Sequence, residues 1–161
     1  MALESAFTQL LERLHVLYEA LAALHTTIAE DRPTEGDSAL VEILSGSAEN
    51  LVGWTAEAQQ IARDGWLAIL RGDSDTTRRA LTACQEQITR VDRALRSDLL
   101  GYERLSDLGR FGRTQGGEWR AWAHIVHHAL KSCQQPLFDT EDALLACWQE
   151  LASYVHLRMR E

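Results

Sequence analysis

The sequence predicts an all-α fold, an antiparallel bundle of four long helices. Leu3, Phe7, Leu10, Leu14, Leu17, Leu21, Leu24 and Ile28 alternate at four- and three-residue steps, which keeps one apolar seam on one side of a helix. Leu and Ala dominate while Val, Ile and Thr are sparse, a balance that favours helix over strand. The only two prolines, Pro33 and Pro136, leave long stretches free of helix breakers.

The first helix carries that seam, widened by Leu11, Tyr18 and His25 at seven-residue spacing. It is expected to end near Glu30, ahead of the turn-forming run Asp31 to Ser38. A second helix, capped by Asp37 or Ser38, carries Val41, Leu44, Leu51, Trp54, Ala58, Ile61, Trp66 and Ile69. Gly46, Gly53 and Gly65 weaken it and are expected to permit close helix approach. Arg71-Gly72-Asp73-Ser74 supplies a C-terminal glycine cap and the next N-cap. The third helix shows Leu81, Cys84, Ile88, Val91 and Leu95, extended by Leu99 and Tyr102 and past Gly101 by Leu105 and Leu108. The run from Gly109 to Gly117 reads as a loop. A fourth helix uses Trp119, Trp122, Val126, Ala129, Leu130 and Cys133. Pro136 is expected to kink it, or to end it with a restart at Asp139 or Thr140, which would make five helices. The last stripe reads Leu144, Leu145, Trp148, Leu151, Val155 and Met159.

The 161 residues read as one domain over 1–161, long enough to bury a core without staples. A formal net charge of -8 repels phosphate backbones and argues against nucleic acid as a partner. No run of ~18 apolar residues occurs to span a membrane. The first residues lack the basic and apolar regions of a signal peptide. Cys84, Cys133 and Cys147 are odd in number and far apart, so neither a disulfide framework nor a cysteine-rich zinc site is expected. A cytoplasmic protein is the expectation.

The densest polar cluster is His124, His127, His128 and Lys131, preceded by Arg120. His124 and His128, four apart, can share a metal, with His15 of Glu12-Arg13-Leu14-His15 as a further candidate ligand. The His-x-x-x-His pair is similar to that of the nickel- and zinc-binding DinB-like bundles. Those draw another His from an earlier helix, and the second helix here has none. His128-Ala129-Leu130-Lys131-Ser132-Cys133 resembles the motif of histidine phosphotransfer domains. That resemblance implies His128 as phosphoacceptor and Lys131 as its neutralising neighbour, but Gln134, Gln135 and Pro136 depart from it.

The remaining reading is a solvated basic stripe, its histidines pairing loosely with Glu141 or Asp142. No activated nucleophile or acid–base pair stands out, and no motif calls for a cofactor. The leading expectation is therefore a non-enzymatic protein–protein interaction module, with phosphotransfer and metal binding as alternatives. Candidate interaction residues are Trp66, on a less regular face, with Arg110, Arg113, His124 and His127. The seam of the first helix is also a candidate to pair with a second copy and give a homodimer.

Overall fold

The computed structural model describes residues 2–30, 38–107 and 117–160. Its helices are α1 (Ala2–Ala29), α2 (Ser38–Leu70), α3 (Ser74–Asp107), α4 (Gly117–Ser132) and α5 (Gln134–Met159), and no strand occurs among the described residues. Helices α4 and α5 form a single bent rod, so the chain makes a four-helix bundle. Around the ring, α1 and α3 each lie between α2 and the α4–α5 rod, and the backbones of diagonal helices stay farther apart among the described residues. Asp37, Leu108 and residues 109–116, with Arg110 and Arg113 and the loop expected there, lie outside the described residues, as do the side chains of Tyr102 and Leu105.

The heptad seam of α1 is wholly buried from Leu3 to Ile28. Each of its large side chains contributes roughly 1.5–3 kcal/mol relative to exposure. The neighbouring helices α2 and α5 consume this seam. The expected pairing of α1 with a second copy is therefore corrected: that face has no apolar surface left to offer.

The turn between α2 and α3 does two jobs with four residues. Gly72 takes φ +79, the left-handed region that a side chain would disfavour. Its N–H bonds to the Ile69 carbonyl at 3.0 Å, and the Asp73 N–H bonds to the Ala68 carbonyl at 3.0 Å, closing the end of α2. Asp73 then caps α3, its Oδ1 accepting the Thr76 N–H at 3.0 Å and its Oδ2 the Thr76 hydroxyl at 2.6 Å. Those two bonds hold the exposed Asp73 carboxyl below its ordinary range.

Small residues let α2 and α3 meet closely. A Cβ added at Gly65 would lie 2.8 Å from the Ala80 Cβ. One turn away the buried Thr77 hydroxyl donates to the Gly65 carbonyl at 2.8 Å. Farther along, Ser47 donates to Asp98 Oδ2 at 2.6 Å, while burial still raises that carboxyl. Gly46 and Gly53 differ from the expectation for them: both are exposed, and a Cβ at either would meet nothing within 4 Å.

The rod bends before Pro136. The proline ring crowds the Ser132 carbonyl and offers it no N–H. The Cys133 N–H reaches instead to Leu130, three residues back, at 3.2 Å, and Leu137 resumes the i to i−4 pattern onto Cys133 at 3.2 Å. The helix thus restarts at Gln134, not at Asp139 or Thr140, with Pro136 in its first turn, where a missing donor is tolerated.

Gly53→Ala is expected to stabilise the fold by up to about 1 kcal/mol through helix propensity alone. Gly65→Ala gains the same propensity but forces α2 from α3, for a net loss of about 1 kcal/mol or more. Urea midpoints of the two variants should move in opposite directions.

Candidate functional site

The polar cluster lies on α4. Its apolar face buries Trp119, Trp122, Val126 and Leu130, with Trp119 and Trp122 tilted together at 5.2 Å between ring centroids. That packing turns Arg120, His124, His128 and Lys131 outward, all exposed, and leaves His127 half-buried. His128 and Lys131 stand about one turn apart, and the Ser132 hydroxyl donates to the His128 carbonyl at 2.8 Å.

His15 is exposed on α1 and pairs with Glu19 at 3.0 Å. Among the described residues, no group of three or more His, Cys, Asp and Glu side chains converges as a metal would require. Glu141 faces Asp92 and Arg96 of α3, not the α4 histidines, which corrects the pairing expected for it. Trp66 is half-buried and stacks at a tilt on Phe7, 5.5 Å between centroids, so most of that ring serves the core.

A feature missed by the sequence reading lies between α3 and α5. The buried stripe of α5 is Leu137, Thr140, Leu144, Cys147 and Leu151. Beside it runs a second heptad stripe: Phe138, Leu145, Ala152 and Met159 at seven-residue spacing, with Trp148 and Val155 between them. Phe138 is 45% exposed, Leu145 57% and Met159 82%, so this stripe is left largely uncovered by the bundle. The signal was present in the sequence but lay interleaved with the core stripe, and the expected set from Leu144 to Met159 mixed the two.

Three adjoining clefts follow this stripe along the α3–α5 seam. One lies between Leu99 and Phe138, and another between Ile88 and Trp148. The third lies between Arg78 and Met159. The central cleft holds about 220 Å³. Its α5 wall is apolar and its α3 wall polar, with Gln85, Thr89 and Asp92. Glu141 interrupts the apolar wall. Its carboxyl is raised first by burial, then by Asp92, while Arg96, paired with Asp92 at 2.9 Å, pulls it down. The Trp148 indole N–H is buried without an acceptor among the described residues.

A channel of this kind can hold an apolar helix face, and its central cleft also presents the Thr89 side chain with the Asp92 and Glu141 carboxylates. The three thiols are buried free cysteines. Burial pushes Cys84 up to about 12 and Cys133 up to about 11. Cys147 is pushed up to about 12 by burial and by its neighbour Cys84. Such thiols are poor nucleophiles at neutral pH.

No family model matches the chain, no curated protein matches its sequence, and no solved structure matches its fold. The site's chemistry therefore stands on its own geometry.

At pH 8 a thiolate fraction of about one in a thousand or less follows for each cysteine. Native protein is expected to react slowly with a disulfide exchange reagent, and denatured protein to titrate all three thiols promptly. Absorbance of the released chromophore gives both the rate and the count.

Proposed function

We propose that this chain is a non-enzymatic helical protein–protein interaction module, an adaptor, scaffold or accessory subunit. Its docking surface is the groove between α3 and α5. The observation that carries this reading is the second stripe of α5, with Phe138, Leu145 and Met159 exposed in heptad register beside a cleft. Apolar surface kept in water in an orderly line has a cost, and it is the usual mark of a binding face. Its period is that of a helix partner, which fits helix-in-groove recognition. The half-buried ring of Trp148 at the middle of the stripe supports this reading, since an aromatic there would anchor the partner. The reading includes a cytoplasmic location, which the three unpaired thiols favour.

A photoreactive phenylalanine analogue in place of Phe138 is expected to trap a polypeptide when the producing cells are irradiated. The same analogue in place of Glu57, exposed on α2, is expected to trap none. Denaturing gels and mass spectrometry read the adducts. Absence of an adduct at position 138 would overturn the reading.

A second reading, a phosphotransfer bundle, is favoured by the exposure of both His128 and Lys131. There an imidazole nitrogen of His128 attacks the phosphorus of a phosphodonor, the donor's P–O bond breaks, and the imidazole sheds its proton. On the docking reading, incubation with acetyl phosphate leaves His128 unmodified. An acid-labile phosphoryl adduct, absent from His128→Gln, would put the second reading in its place.

A further inference from the structure

We infer that the central cleft of the α3–α5 groove is a binding site for a small organic ammonium ion, its charge at the Glu141 end and its apolar body laid along Leu144 toward Trp148. The inference goes beyond the docking reading and needs no partner protein. Two turns of each helix form the cleft, from Gln85 to Asp92 on α3 and from Glu141 to Trp148 on α5. The two helices run antiparallel, since Leu99 shares a cleft with Phe138 and Arg78 shares one with Met159. Asp92 and Glu141 therefore sit at one end of the central cleft, and Gln85 and Trp148 at the other. Seven residues separate the ends on each helix, about 10 Å at the rise of an α-helix.

The Glu141 end carries more negative charge than its surroundings neutralise. Glu141 is half-buried, and its carboxylate makes no hydrogen bond or ion pair among the described residues. Asp92 and Asp142 add to the negative field at that carboxylate, and Arg96 opposes them. Arg96 is already engaged by Asp92 at 2.9 Å, and its side chain is 71% exposed, so water screens much of what it supplies. Three carboxylates thus draw on one guanidinium. A cation delivered into the cleft meets this field where screening is weakest, and its N–H groups can donate to the Glu141 carboxylate and the Thr89 hydroxyl.

The remainder of the cleft suits an apolar body. Ile88 and Leu144 line it as buried core residues, and Leu145 and the half-buried Trp148 ring complete the wall. Its volume of about 220 Å³ exceeds the roughly 150 Å³ of an apolar cavity that accepts benzene. An apolar lining with a few polar groups that fix orientation is the general form of a small-ligand site. A ligand with one positive charge and an apolar body satisfies both ends at once. A neutral body of the same shape covers Glu141 without pairing it, and an anion is repelled.

The test is a titration of the isotope-labelled full chain with phenethylammonium chloride at neutral pH. Two-dimensional NMR follows the Trp148 indole N–H, whose signal is identified by its loss in Trp148→Phe. A saturable shift with half-saturation below about 1 mM is expected. Phenethyl alcohol, the same body without the charge, is expected to bind about 10-fold more weakly or worse. Glu141→Gln is expected to weaken binding of the ammonium ion by about 10-fold, while Glu57→Gln on α2 leaves it unchanged. Gln85→Trp, at an exposed position, is expected to fill the cleft and abolish binding, with helical circular dichroism and the thermal midpoint kept. Absence of a saturable shift would overturn the inference. So would equal binding of the alcohol, or a Glu141→Gln variant that binds the ammonium ion as the parent does. Trapping at position 138 bears on the docking reading alone, so either reading can fail while the other stands.

Discussion

The close approach of α2 and α3 at Gly65 is the constraint on which the rest of the bundle depends. A Cβ at Gly65 would lie 2.8 Å from the Ala80 Cβ, closer than side chains pack, so only glycine fits there without a shift. Around it Thr77 ties the two backbones, and the Gly72–Asp73 turn ends one helix and begins the next without slack. Small side chains at Ala58, Ala62 and Cys84 continue the tight contact, and the Cys84 thiol lies 3.8 Å from the Ala58 carbonyl. A helix drawn that firmly toward one neighbour leaves less of itself for the other. The consequence is the seam between α3 and α5, where the packing opens into clefts.

The bend at Cys133 acts on the other wall of that seam. Pro136 forbids a straight continuation of α4, so the chain changes direction and α5 takes its own path along α1. Along that path Thr140 and Asp139 engage Arg13, which fixes the rotation of α5 about its axis. With the rotation fixed, Leu137, Leu144 and Leu151 enter the core and Phe138, Leu145 and Met159 do not. The exposed stripe is thus set by two local events, a close approach on one side and a proline-induced bend on the other. A helix propensity argument about α5 alone would give neither.

These origins explain what could be read in the sequence. The α1 seam was legible because all of its apolar positions serve one face. The caps at Gly72 and Asp73 were legible because their chemistry is local to four residues. The bend was placed at Pro136 when it falls at Cys133, because a proline disturbs the carbonyl four residues before it and not its own position. Gly65 looked no different from Gly46 and Gly53, since only the identity of the facing residue distinguishes them. The α5 stripe was hidden for a related reason. Two heptad sets displaced by one residue, Leu137-Leu144-Leu151 and Phe138-Leu145-Ala152, merge into one broad apolar pattern until burial separates them. The histidines of α4 were plain in the sequence, yet spacing along one helix could not say that His15, paired with Glu19 within α1, would not converge with them.

A helix that serves two faces differs in kind from one with a single core stripe. Its inner stripe belongs to the continuous buried core and changes only when the fold changes. Its outer stripe stays exposed, because the bundle closes around α1 without it. Glu141 sharpens the division. A carboxylate raised by burial and by Asp92 is poorly placed in an apolar wall, and it weakens the stripe as a purely hydrophobic surface. Nearby positive charge from a docked partner would relieve that carboxylate, whereas an apolar or acidic partner would aggravate it. On the docking reading, a partner carrying positive charge would fit the groove best where Glu141 lies beside Asp92.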